Sequence, residues 1–226
     1  MPDADIADPE RRLALSYAPV DRRSSLETLW LLDERLAAIV AATREPAIGA
    51  MRLVWWRDVL SRLDQPEARP PAEPLLQRVA LMCRSHSVSG ADLAAMEEGW
   101  SALLDAEEPD EAAIRLHGTA RGGPLFAIAG RLLGAEADDL VMAGEGWALA
   151  DLGHRLRGGD ARAFARKLAS DRFRLVATRR WSGRLRPLGA LTVLARRDAA
   201  TAATILRRQG APNRVLRAAF HGLTGL

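Results

Sequence analysis

The chain has 226 residues, 48% of them hydrophobic and 5% aromatic, with a formal net charge of +3. That length supports one sizeable core in one or two domains. A single cysteine excludes an internal disulfide, four scattered histidines give no metal-ligand cluster, and no run reaches the roughly 18–20 apolar residues of a membrane-spanning helix.

Strong helix formers dominate, while Ile, Val, Phe and Tyr are thin, so the composition predicts an all-α fold. The opening MPDADIADPE is acidic and lacks the order of a secretory signal, which predicts a cytoplasmic protein. The charge is divided unevenly. Residues 1–150 hold 15 Arg against 25 Asp plus Glu, whereas 151–226 hold 16 Arg and one Lys against four Asp. A basic third of this kind can attract phosphates, nucleic acid, anionic lipid or an acidic partner, or it can neutralise the acidic part of the same fold.

In chain order, Asp21 can cap a helix running to about Thr43, and Pro46 opens the next after Glu45. Leu53, Trp56, Leu60 and Leu63 then follow the 3, 4, 3 spacing of a buried stripe. QPEARPPAEP (65–74) reads as a loop, followed by helices at 75–87 and 90–105. In 109–134 the glycines and proline at 122–124 should interrupt or kink a helix. A helix at 136–157 ends at Gly158–Gly159. Asp160 can cap 161–180, Arg186–Pro187 can open a helix to about Arg208, and Pro212 a short last one. With no repeat and no long linker, one domain of about eight to ten helices is expected.

Few stretches carry chemistry on their own. HGTARGG and GEGW lack the preceding strand that phosphate-binding loops need. No nucleophile elbow is present, and His86, His117, His154 and His221 stand singly, fitting surface or hydrogen-bonded roles. Cys83 reads as a small buried apolar side chain. Without aromatic interleaving or a known module, the arginines of 155–217 do not point to nucleic acid. Trp55 and Trp56 are about 100° apart around a helix and read as two core anchors on a wide apolar face, with Arg57 free to pair with Asp58.

The order RRSSLETLWLL, a helix, then EPAIGAMRLVWWRDVL resembles the squalene and phytoene synthase family, and the likeness extends more loosely through GTARGG and the helix 144–157. Its most specific part holds Arg52, Trp55, Trp56, Arg57 and Asp58. The resemblance implies the isoprenoid-synthase bundle around a deep cavity, here as one domain over 1–226 that is shorter than typical synthases on its C-terminal side.

Enzymes of the family couple two prenyl diphosphates head to head, and two aspartate-rich motifs facing each other hold magnesium. Where the first, a DDxxDE-like pattern, is expected, this sequence has Ala37, Ala38, Ile39, Val40, Ala41 and Ala42. Alanine cannot ligate a metal. Small side chains there can keep a cavity open or let two helices pack closely. Asp33 and Glu34 lie one turn earlier. Near the second motif stand Asp151 and Asp160, with Arg155 and Arg157 between them.

The expectation is therefore a non-catalytic member without cofactor, binding a partner protein or an isoprenoid-like ligand. It resembles the non-synthase branch that includes the phytoene-synthase-like assembly factor of respiratory complex I and its bacterial counterparts. Arg155, Arg157, Arg179, Arg180, Arg196 and Arg197 are its candidates for an anionic contact, and a peripheral contact with anionic membrane is compatible with it. The alternative is an active magnesium-dependent prenyltransferase with a site rebuilt from Asp33, Glu34, Asp151 and Asp160.

Overall fold

The structure is a computed structural model that describes residues 5–104, 108–135, 137, 139–176, 180–201 and 207–226. Within them the chain forms ten helices and no strand, as the composition predicts. The first is α1 (Pro9–Leu15), where Asp8 caps the amides of Glu10 and Arg11. It is followed by α2 (Val20–Ala42), α3 (Pro46–Arg62), α4 (Pro74–His86) and α5 (Gly90–Ser101). The sixth, α6, is continuous but composite: Glu111–Leu116 is α-helical, His117–Gly122 widens into π geometry, and Gly123–Leu132 is α-helical again. Then come α7 (Leu140–Arg155), α8 (Gly159–Leu175), a short 3-10 turn at Gly183–Leu185, α9 (Arg186–Ala200) and α10 (Pro212–Thr224).

Two helices form the centre. On α2, Leu26, Leu29, Trp30, Leu32, Leu36 and Ile39 are buried at helical spacing. Nearly every side of α7 is buried, from Leu140 to Gly153, and it packs against α6, α8 and α9. A helix apolar all round belongs inside a bundle. Glycine sets how closely α6 and α7 approach. A Cβ on Gly122 would lie 2.3 Å from the Gly144 carbonyl oxygen, and one on Gly144 would lie 2.1 Å from that of Gly122.

Several sequence expectations change here. Helix α2 starts at Val20 after Pro19, so Asp21 lies in the first turn and is not the cap. The glycines and proline at 122–124 do not break α6, because the π turn absorbs the change of register just ahead of Pro124. Asp160 lies in the first turn of α8, which begins at Gly159 and ends at Leu175. Helix α9 stops at Ala200. Trp56 is buried at 4% exposure, but Trp55 is 45% exposed, so only one of the pair anchors the core. Cys83 is buried as expected, and burial pushes its thiol up to about 11. Among the described residues no helix is long and apolar enough to cross a membrane.

Candidate functional site

The middle of α2 carries Asp33, an acid with no solvent exposure in an otherwise apolar stripe. A buried carboxylate is costly unless it is paired and hydrogen-bonded, and every lone pair here is engaged. Oδ1 accepts from Trp100 Nε1 at 3.0 Å and Arg121 Nε at 2.9 Å. Oδ2 accepts from Arg121 Nη2 at 2.9 Å and from Arg11 Nη2. Burial alone would raise this carboxyl, but the Arg121 and Arg11 guanidiniums hold it well below the usual carboxylate range.

Arg121 projects from the π turn of α6. Its guanidinium lies over Trp100, 4.1 Å from the ring centroid, and over Trp147 at 4.8 Å. Its Nη1 meets His117 Nε2 at 3.0 Å, while His117 Nδ1 faces the Gly99 carbonyl at 2.7 Å. A carbonyl can only accept, so Nδ1 carries the proton and Nε2 receives the bond from Arg121. Burial and the Arg121 charge together push His117 down to about 3. Gly99 makes room for this contact, since a Cβ there would lie 2.7 Å from the Arg121 amide nitrogen.

The same guanidinium reaches toward α7. Arg121 Nη1 stands 3.6 Å from Asp151 Oδ2, which also meets Arg155 Nη2 at 3.0 Å. Arg207 Nη1 donates to Asp151 Oδ1 at 3.1 Å and Arg207 Nη2 to Glu10 Oε2 at 3.3 Å. Arg214 grips Glu10 on one side and Asp198 on the other, with 2.9 Å bonds to Glu10 Oε2 and Asp198 Oδ2. Burial pushes the Asp151 carboxyl up, yet Arg155, Arg121 and Arg207 hold it well below its ordinary range. Four carboxylates (Asp33, Asp151, Glu10, Asp198) and five arginines (Arg11, Arg121, Arg155, Arg207, Arg214) thus form one connected network.

Magnesium would need several free oxygen donors at about 2.0–2.1 Å. Both oxygens of Asp33 are already taken twice, and a guanidinium stands between Asp33 and Asp151, so these side chains as arranged do not fit the ion. Among the described residues no group of three or more His, Cys, Asp or Glu is placed to hold a metal. The space beside Glu10, Asp151, Asp198, Arg207 and Arg214 is about 10 Å³. That is at most the room one water needs.

Of the sequence candidates, Asp33 and Asp151 are brought together through Arg121. Glu34 touches the network only at its margin, 4.0 Å from Arg11 Nη1; its carboxylate accepts the amides of Ala7 at 2.8 Å and Asp8 at 3.3 Å, fixing the approach to α1. Asp160 is exposed in the first turn of α8. Arg155 joins the network, while Arg157 and Arg197 are exposed. Arg196 donates to the carbonyls of Phe173 and Val176, closing the end of α8. Arg180 donates to the Thr224 carbonyl. Arg179 lies outside the described residues.

On α3, Arg57 pairs with Asp58 at 3.1 Å, and Arg52 is exposed beside Trp55. Ala38, Ala41 and Ala42 face solvent, and Ala37 packs against the core from its edge. Sequence reasoning missed Arg11, Arg121, Glu10, Asp198, Arg207 and Arg214. One local signal was present for Arg121, the His117–Arg121 spacing of four within glycines that permit close approach.

The sequence profile described as squalene/phytoene synthase matches residues 6–156. No curated protein and no solved structure matches the chain at a significant level. The matched stretch contains Asp33, Arg121, Asp151 and Arg155, and it ends before Arg207 and Arg214. A match over that share of the sequence, on an all-α bundle, shows that the chain belongs to the squalene/phytoene synthase family.

Proposed function

We propose that this chain is a non-catalytic member of the family, a binding or assembly protein rather than a coupling enzyme for prenyl diphosphates. One observation carries the reading: Arg121 stands between Asp33 and Asp151, so the acids that could approach a metal are neutralised by a fixed cation. An arginine there is always charged and opposes the approach of a divalent ion. Ala37, one turn beyond Asp33 and packed against the core, supports the same reading, since it adds no oxygen donor there.

Two surfaces support a binding role. On α3 the exposed side chains of Ile48, Met51 and Trp55 surround a recess of about 360 Å³ with Arg35, Arg52 and Glu73. Trp, Met and Arg are the side chains enriched where proteins meet. Between α5, α6 and α7 runs a groove of about 540 Å³, lined by Gly123, Pro124, Ala127, Ile128, Leu140 and Val141 together with Asp92, Thr119 and Arg131. Its volume suits an isoprenoid-like ligand.

Thermal unfolding with farnesyl diphosphate, with and without magnesium, tests the reading, because a ligand that binds the native state raises its melting temperature. The expected result is the same curve with and without the metal. A shift that requires magnesium and disappears in Asp33→Asn would overturn it.

A further inference from the structure

Helix α10 is oriented against the usual rule for amphipathic helices. Its inner face presents Arg214 and His221 to the protein, with Ala218 and Gly222 buried on the same face. Its outer face presents Leu216, Phe220 and Leu223, which are 70%, 58% and 76% exposed. Spacings of four and three place these three on one stripe, and Leu226 beyond the helix is exposed as well. Buried polar groups and contiguous exposed apolar ones are the informative departures from a soluble surface.

The helix cannot roll to hide that stripe. Arg214 is tied to Glu10 and Asp198 by paired bonds. Arg186 Nη1 donates to the Gly222 carbonyl at 2.7 Å, the Trp181 amide donates to that of Gly225 at 2.8 Å, and the Tyr17 ring lies against Gly222. The stripe therefore faces outward in the folded chain, held there by the ion network itself.

We infer that α10 is a membrane-surface element that lies on an anionic lipid bilayer, with Leu216, Phe220 and Leu223 inserted at the boundary between headgroups and acyl chains. The charges around it fit that occupant. From residue 199 onward the chain has four arginines and no acid. Two of them, Arg207 and Arg214, point inward, and Arg208 and Arg217 are exposed. Arg180, also exposed, is bonded to the last turn of the helix. Arginines beside an apolar stripe are attracted to anionic headgroups while the stripe is withdrawn from water. A second copy of the chain is a poorer occupant, because pairing two such stripes would bring the same arginines against one another. The inference holds whether or not the chain turns over a prenyl diphosphate.

Co-sedimentation of the full chain with vesicles tests it. One set contains equal parts phosphatidylglycerol and phosphatidylcholine, and the other phosphatidylcholine alone. The first should bind about tenfold or more tightly than the second, with the difference falling at high salt, since each arginine near an anionic surface contributes about 1 kcal/mol, roughly fivefold. Leu216→Ser with Phe220→Ser should abolish sedimentation while leaving the circular dichroism and melting temperature unchanged, because both side chains are outside the core. Arg217→Gln should weaken binding to the anionic vesicles only. Equal binding to both sets, binding that survives the double substitution, or no binding to either would overturn the inference. A concentration-dependent dimer that the double substitution dissolves would assign the stripe to a second copy and overturn it too.

Discussion

Arg121 and Asp33, 88 residues apart in sequence, meet side by side in the centre of the bundle, Nε to Oδ1 and Nη2 to Oδ2, both at 2.9 Å. The pair joins α6 to α2, and the remaining Arg121 nitrogen continues to His117 and Asp151. Three helices are thereby held in register by one guanidinium.

Removing one member of such a pair leaves a buried charge without compensation, which costs about 3–5 kcal/mol. Asp33→Leu takes the shared carboxylate from both Arg11 and Arg121 and should lower stability by that much in urea unfolding. Arg121→Met leaves Asp33 neutralised by Arg11 and should cost less. An Asp33→Leu loss near 1 kcal/mol would place the carboxylate in a far more solvated setting.

Acid should weaken the fold in two stages. His117 is pushed down to about 3 in the folded chain, while an unfolded histidine titrates near 6.5. Between those values the unfolded state binds one more proton. Its contribution is therefore full above about pH 6.5 and lost as pH falls, at about 1.4 kcal/mol per unit. Asp33, Asp151 and Glu10, all held below their ordinary range, contribute stability that is complete above about pH 4 and lost at lower pH. Unfolding free energies of His117→Asn between pH 4 and 6.5 should show a shallower slope than those of the parent. Parallel slopes would mean that His117 titrates normally.

Close helix contact makes a sharp contrast among glycines. Gly144→Ala forces a Cβ against the backbone of Gly122 and should cost about 3 kcal/mol or prevent folding, since backbone on a facing helix cannot yield as a side-chain tip does. Gly159→Ala meets nothing within 4 Å at the start of α8 and should be neutral or slightly stabilising. Thermal melts of the two variants check the pair, and equal losses would contradict the packing described for α6 and α7.

The neighbouring tryptophans should separate just as clearly. Trp56→Ala empties a core position and should lose about 3–5 kcal/mol, whereas Trp55→Ala should lose less than about 1 kcal/mol. Trp55→Ala should instead weaken any partner held at the α3 recess. A Trp55 variant as unstable as the Trp56 one would return both rings to the core.

Local signals made the helices legible. Prolines at the starts of α3 and α10, Ser89 ahead of α5 and the 3, 4, 3 stripe of α3 all act over a few residues, and each appears where the sequence puts it, while Pro74, read as the end of a loop, opens α4. Asp33 and Asp151 were legible as acids on two important helices, but their partners were not. Glu10 and Arg214 are 204 residues apart, and nothing local distinguishes an arginine bound for the interior from one bound for solvent. The excess charge of 151–226 is partly spent inside the fold, through Arg207 and Arg214, as one sequence reading allowed. The outward stripe of α10 was equally hidden, because periodicity gives an apolar face without saying which way it points.

The most direct measurement of the central claim is pyrophosphate release from farnesyl and geranylgeranyl diphosphates with magnesium, followed for the purified chain beside a working synthase. Release no greater than that of heat-inactivated chain is the expected result, with Asp33 and Asp151 committed to arginine. Release well above that level, abolished by Asp33→Asn or Asp151→Asn, would contradict it and make those carboxylates metal ligands in a working enzyme.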